Sequence, residues 1–554
     1  MYKQVLDPVG NSLAATSLFA ILPLVSLFVL LGVVRMKAQW AALISLGVAI
    51  VVALAVYSMP VGQAADAAVE GAVFGFFPIM WIVINALWIF NMTDASGYFA
   101  VLRRAFSSVS DDQRVQVVMI AFCFGALLEA LAGFGTPVAI CGIMLVGLGF
   151  QPVKAAAVAL VADTAPVAFG AIAIPITTLA EVTGLPKGDL SSMVGRQCPL
   201  LALLVPFILV FMVDGRRGLR AAWPAALTAG GVFAIMQFTS SNYISPELTD
   251  IIASLTSAAA LLALTRVWSP MPAEPATRGP RPAIAGAAGA DPALERRVRA
   301  DEGKPLSRQE TITAFLPYLV IIVVLGVCSL SGVMAQLDKA TQEFTWPGLH
   351  ILNAKGEAPT SLTYKFNILT AAGTQLFVAG LIATAVLRVA PGRALAIYGE
   401  TLRKLAWPIV TVCSVLALAY VMNLSGQTIT LGTWAAGAGG FFAFLSPIIG
   451  WFGTAVTGSD TSTNSLFGAL QVTAAKNASL SPTLLAAANS SGGVLAKMVS
   501  PQNLAIGAAA VGLGGKEGDL FRKVVGWSVG LVLIMAVLVW LQSTSVLSWM
   551  VPGG

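Results

Sequence analysis

The chain has 554 residues, 57% of them hydrophobic and only 10% charged, with 32 Lys and Arg against 26 Asp and Glu for a net charge of +6. A soluble domain carries about a quarter charged residues, so a single large water-soluble core is excluded, and the excess cations read as loop charges that set membrane orientation rather than as a nucleic-acid surface. Five cysteines (Cys123, Cys141, Cys198, Cys328 and Cys413) are scattered through apolar runs without metal-ligand spacing, so neither a metal nor a cofactor is expected.

Along the chain, residues 12–34, 38–65, 71–93, 197–213, 311–334 and 524–554 contain no Asp, Glu, Lys or Arg. About 20 apolar residues cross a bilayer as one helix, and lipid admits only helices or closed barrels. A barrel strand alternates over about ten residues. Continuous runs such as Ile321-Ile322-Val323-Val324-Leu325 do not. The expected fold is an all-α polytopic membrane protein with about 12–14 transmembrane helices. The first apolar run exceeds a signal-peptide core and no A-x-A site follows it at the usual length, so it reads as a permanent span.

Cationic connections carry Arg35 and Lys37; then Arg103, Arg104 and Arg114; then Arg216, Arg217 and Arg220. Residues 267–310 follow, rich in Pro, Ala and Arg, and read as a disordered cytoplasmic linker. It divides an N-terminal membrane half, 1–266, from a C-terminal half, 311–554. The later connections carry Arg388, Arg393, Arg403 and Lys404, then Lys516, Arg522 and Lys523. Placing all of these inside leaves the N-terminus, the loop 335–365 and the C-terminus outside. A bacterial inner-membrane location is expected, with the lipid bilayer as partner and no nucleic acid; a homodimer is left open.

Two segments, about 116–180 and about 439–513, differ from ordinary spans: both are rich in Gly, Pro, Ser and Thr and carry isolated charges. Phe124-Gly125 leads to Gly133-Phe134-Gly135-Thr136-Pro137, and Phe452-Gly453 leads to Gly458-Ser459-Asp460-Thr461-Ser462. Asp163 stands twelve residues before Pro175, and Asn489 twelve before Pro501. The first unit enters the membrane from an inner loop and the second from an outer one. Two inverted repeats with interrupted helices are expected, and such repeats are the signature of secondary transporters with a substrate site at the repeat interface.

Ionisable groups deep in a membrane are functional hypotheses by default, because each costs several kcal/mol. Glu129, Asp163, Asp460 and Lys497 sit amid long uncharged stretches, all within the two units. Lys497 and helix N-termini would attract an anion. The stretches 133–137, 458–462 and 489–493 add donors from Thr136, Ser459, Thr461, Ser462, Asn489, Ser490 and Ser491. The only histidine, His350, lies in a loop. A proton path must then use the carboxylates Glu129, Asp163 or Asp460. Na⁺ held by Asp460 and Asn464 is the alternative. An intramembrane enzyme would need a nucleophile–base pair or a metal cluster, which the spans lack.

At these residues the sequence resembles the bacterial L-lactate permease family across nearly its full length. The resemblance is carried by Asp112-Gln113-Arg114, Phe122-Cys123-Phe124-Gly125, Glu129, Gly133-Phe134-Gly135 and Pro137-Val138-Ala139-Ile140. It continues through Thr164-Ala165-Pro166-Val167-Ala168-Phe169-Gly170, Gly458-Ser459-Asp460-Thr461-Ser462, Asn464, Lys497-Met498 and Ser500-Pro501-Gln502. It ends on Val511-Gly512-Leu513, Gly515-Lys516-Glu517 and Asp519-Leu520-Phe521-Arg522. The resemblance implies proton symport of lactate, often with its other enantiomer and glycolate. Asp163 departs from the Asn of the family pattern, and the linker is longer and more basic than usual.

Overall fold

The computed structural model describes residues 2–107, 110, 112–133, 135–270, 307–328, 330–353, 356, 362–513 and 516–552. Most of the expected linker, 271–306, lies outside the described residues. Among the described residues, ten helices are long and apolar enough to cross a membrane. The number is eleven when the bent pair Pro152–Ala162 and Val167–Thr183 counts as one span. The 57-residue stretch Lys187–Tyr243 leaves helical geometry at Asp214 and Gly215. At about 1.5 Å per residue it would exceed twice the roughly 30 Å of a hydrocarbon core, so its two arms are separate crossings.

Strands are few. Gln342–Thr345 pairs antiparallel with Thr363–Phe366, and Tyr2–Lys3 pairs in parallel with Ile351–Leu352. The Tyr2 hydroxyl donates to the carbonyls of Tyr57 and Ser425, at 3.1 and 2.8 Å. The Gln4 amide donates to the carbonyls of Asn423 and Leu424, both at 2.9 Å.

Two four-helix units stand out. Unit one runs Gln113–Leu131, Thr136–Gly147, Pro152–Ala162 and Gly170–Thr183. Unit two runs Phe442–Thr457, Asp460–Asn477, Pro482–Gly493 and Pro501–Ala510. The same local chemistry builds both. A glycine in left-handed geometry, Gly135 or Gly458, separates the first helix from the second. Only a residue without Cβ adopts that geometry freely. Proline at the first turn starts the third helix of each unit, Pro152 and Pro482, and the fourth of unit two, Pro501. Its missing N–H costs nothing at that position. Ser459, Ser481 and Ser500 cap the helices that follow them with their hydroxyls.

The units interlock reciprocally. The fourth helix of unit one packs on the second of unit two, and the fourth of unit two packs on the second of unit one. Both contacts run parallel. Asn464 Nδ2 donates to the Pro175 carbonyl, and Gly468, one turn on, abuts Leu179, Val182 and Thr183. Gly135 abuts Asn503 and Ile506, Gly507 abuts Val138, and Gly142 abuts Val511. In unit one the second and third helices form a hairpin across residues 148–151, and the fourth continues the third through a 63° bend. The fourth helix therefore opposes the second in direction. Because the second helix of unit two follows that fourth helix, the two units run in opposite senses.

The second interruption of unit two lies later than the sequence pattern suggests. Asn489 to Gly493 are helical, and the chain breaks over Val494–Val499, a short 3₁₀ stretch ending at extended Ser500. Gly492 and Gly493 do not break the helix because they serve a different need. A Cβ on Gly492 would lie 2.0 Å from the Pro447 carbonyl oxygen, and one on Gly493 would lie 2.2 Å from Asp460 Oδ1. They are positions of close approach.

Candidate functional site

The interruptions of the two units meet at one cluster of charge. Lys497, in the 494–499 break, places Nζ 2.6 Å from Glu129 Oε1 and 3.0 Å from Asp163 Oδ2. Glu129 comes from the first helix of unit one, and Asp163 caps the end of its third. All three side chains are at most 7% exposed. The fold brings them together from positions 368 residues apart. Two carboxylates face one ammonium, so the fully ionised cluster carries a net charge of −1. Glu129 Oε2 and Asp163 Oδ1 have no hydrogen-bond partner among the described residues. Backbone closes over the glutamate: a Cβ on Gly170 would lie 2.6 Å from Glu129 Oε1.

The neighbouring break of unit two holds Asp460 at the first turn of its helix, where unpaired N–H groups favour negative charge. Its Oδ2 accepts from Ser490 Oγ at 2.5 Å and Asn464 Nδ2 at 3.3 Å. Asp460 does not pair with Lys497 directly. Ser459 Oγ accepts from the Ser462 N–H at 3.3 Å, as an N-cap should.

A cavity of about 260 Å³ opens between the two units. Glu129, Lys497, Asp460, Ser459, Thr461, Ser462, Gln502 and Asn503 line its polar wall. Ala38, Gln39, Trp407, Pro408, Thr411 and Val412, from helices outside the units, line the opposite wall. Drug-sized pockets begin at about 300 Å³, so this space suits a molecule of a few heavy atoms.

The sequence-derived candidates divide by position. Lys497, Glu129, Asp460, Ser459, Thr461 and Ser462 line the cavity, and Asp163 stands behind Lys497. Thr136 sits at the start of its helix but is not on the cavity wall. Asn489, Ser490 and Ser491 lie in the C-terminal half of a helix and are fully buried. Asn489 Nδ2 donates to Asn464 Oδ1 at 2.8 Å, Ser490 donates to Asp460, and Ser491 donates to Gln197 Oε1 at 2.7 Å. They hold the wall from behind. Sequence reasoning missed Asn503, which lines the cavity and donates to the Gly458 carbonyl at 3.2 Å. Its signal was the capping pattern Ser500-Pro501-Gln502-Asn503. It also missed two buried carboxylates, Glu70 and Asp250, each 1% exposed. Both sit near other charges in sequence, so a search for isolated charges passes over them.

Inverted units with interrupted helices and a charged cavity between them define a multi-pass membrane transporter. The sequence model of the L-lactate permease family matches residues 16–546. The chain belongs to that family and is a transporter of the bacterial inner membrane, not an enzyme. It is 41% identical to the glycolate permease GlcA of Escherichia coli, covering 98% of each chain. It is 39% identical to the L-lactate permease of Bacillus subtilis over the whole of both chains. Among solved structures, Neisseria gonorrhoeae MtrF aligns with a TM-score of 0.48 at 15% identity, over 88% of this chain and 84% of that one.

Proposed function

We propose that the protein takes up L-lactate, and with it D-lactate and glycolate, by proton symport. The observation that carries this reading is Lys497 held between Glu129 and Asp163 on the wall of a small cavity. A 2-hydroxy monocarboxylate brings one negative charge and one hydroxyl. Its carboxylate needs the Lys497 ammonium, which is already engaged by two carboxylates. A proton on Glu129 releases one of these contacts and frees Lys497 for the substrate. The free cluster and the cluster carrying both a proton and an anion then have the same charge, −1. The anion alone would give −2 in a low-dielectric setting, which is the costlier state. Proton and substrate therefore bind as a pair, and that is the condition for symport.

The substrate hydroxyl would meet the polar wall of unit two, where Ser459, Thr461 and Ser462 stand at a helix N-terminus. The L-lactate and glycolate permeases among the relatives support this size and charge class. On the cavity wall, Ala38 and Gln39 follow the cationic connection of Arg35 and Lys37, and Trp407 and Pro408 stand one turn past Arg403 and Lys404 within the helix Pro391–Ser425. With those cations on the cytoplasmic side, the cavity faces inward. The test is radiolabelled L-lactate uptake into proteoliposomes under separately imposed pH, Na⁺ and voltage gradients. An inward proton gradient alone should drive accumulation. Uptake that follows Na⁺ and ignores the pH gradient rejects the reading.

A further inference from the structure

Asp250 begins the helix Thr249–Val267, outside both units, and is 1% exposed. Its Oδ1 accepts from Gln237 Nε2 at 3.0 Å, and its Oδ2 has no partner among the described residues. No Lys or Arg pairs with it there, although a buried carboxylate normally has a cation or a full set of donors. Gln237 is fully buried, and its Nε2 also donates to the Ala165 carbonyl at 3.2 Å. Both amide hydrogens are thereby used, which fixes the amide orientation. Its Oε1 is left buried without a donor. Ser240, one turn further on the same helix face, is also fully buried with an unpartnered hydroxyl.

A carboxylate oxygen, an amide oxygen and a hydroxyl are hard ligands, and here all three are desolvated and unsatisfied. We propose that Asp250, Gln237 and Ser240 form a second binding site, for a small monovalent cation, either Na⁺ or a proton. The site is joined to the Lys497 cluster. Gln237 grips the Ala165 carbonyl, two residues past Asp163 in the break of unit one. Glu129 is near enough to act on Asp250 electrostatically. Among the described residues, Glu129, whose helix packs on Thr249–Val267, and the Cys198 thiol of the Lys187–Tyr243 helix are the titratable groups that interact electrostatically with Asp250. Lys187 and Glu247 pair with each other at the adjoining turn. A cation at Asp250 offsets the surplus negative charge that Glu129 and Asp163 leave beside it. Its occupancy thus rises when Glu129 is ionised and falls when Glu129 takes up a proton.

The test uses the purified full-length protein without lactate and without a gradient, so it can fail while proton-driven uptake stands, and the reverse. Melting is followed against NaCl at constant ionic strength made up with N-methylglucamine chloride, over a range of pH, for wild type, Asp250→Asn and Ser240→Ala. Na⁺ that raises the melting temperature of wild type, with no effect in Asp250→Asn and a half-saturation at least tenfold higher in Ser240→Ala, supports the site with Na⁺ as occupant. No Na⁺ effect, with a pH dependence of melting in wild type that Asp250→Asn removes, supports it with a proton as occupant. Wild type that responds neither to Na⁺ nor through Asp250 to pH overturns it. If Asp250→Asn does not fold, Ser240→Ala decides the Na⁺ arm. Gln237→Met, which removes the bridge to Ala165, then decides the proton arm by the same pH dependence: the proposal requires that dependence to shift, and an unchanged one overturns it.

Discussion

Lys497→Ala removes the ammonium from between two buried carboxylates. Breaking a buried ion pair from one side costs about 3–5 kcal/mol, because the partner is left uncompensated. We expect the purified variant to melt well below wild type at neutral pH and to lose L-lactate binding. Adding Glu129→Gln should recover part of the melting temperature, Asp163 remaining without its cation, and should not restore binding. Recovery of both would mean that Lys497 serves packing alone. Glu129→Gln by itself keeps the shape and the Lys497 contact but removes the titratable oxygen. In proteoliposomes it should retain lactate–lactate exchange and lose accumulation driven by a pH gradient. Wild-type accumulation in this variant would move proton coupling elsewhere, with Asp163 next in line at 3.0 Å from Lys497 Nζ.

At the level of elements, small residues set the distance between helices. Gly450 would place a Cβ 1.9 Å from the Asn489 carbonyl oxygen, and Gly492 one 2.0 Å from that of Pro447. These are backbone neighbours that cannot swing aside. Gly492→Ala should cost at least the roughly 1–3 kcal/mol typical of overpacking, read as a lower melting temperature or loss of monodisperse protein. Gly526→Ala, with open space at its Cβ position, is the matched control and should melt like wild type. These contacts also show where sequence reasoning reached its limit. Spans, the two units and their opposite senses were legible, because uncharged length, Gly-Pro punctuation and loop charge are local or additive signals. The four isolated charges were legible for the same reason. That Lys497 faces Glu129 and Asp163 rather than Asp460 was not, since the partners lie in the opposite unit and only packing selects them. Gly492-Gly493 is ambiguous in the sequence, because glycine marks either a break or a close approach. The choice depends on Pro447, a neighbour on another helix.

For the whole molecule, opposite-sense units that grip each other reciprocally give a pathway two equivalent arrangements. Exchanging the conformations of the units would close the cavity on one side and open it on the other. The cavity wall between the units and the helix Pro391–Ser425 must then part and rejoin. In a background free of the five native cysteines, Thr411→Cys should react with an impermeant thiol reagent applied from the cytoplasmic side. L-lactate should slow that reaction severalfold. Labelling only from outside, with no effect of L-lactate, would place the opening on the other face.

Residues 2–4 hold on to carbonyls that the ribosome supplies far later: Tyr2 binds Ser425, 423 positions downstream. At about 5–20 residues per second of synthesis, that partner arrives roughly 20–85 s after Tyr2. Gln4, and Tyr2 apart from its bond to the Tyr57 carbonyl, must wait until Ile351 and then Asn423 to Ser425 have been threaded into place. The clasp is therefore among the last contacts to form during biogenesis. It ties the beginning of the chain to its second half only once both halves are in the membrane.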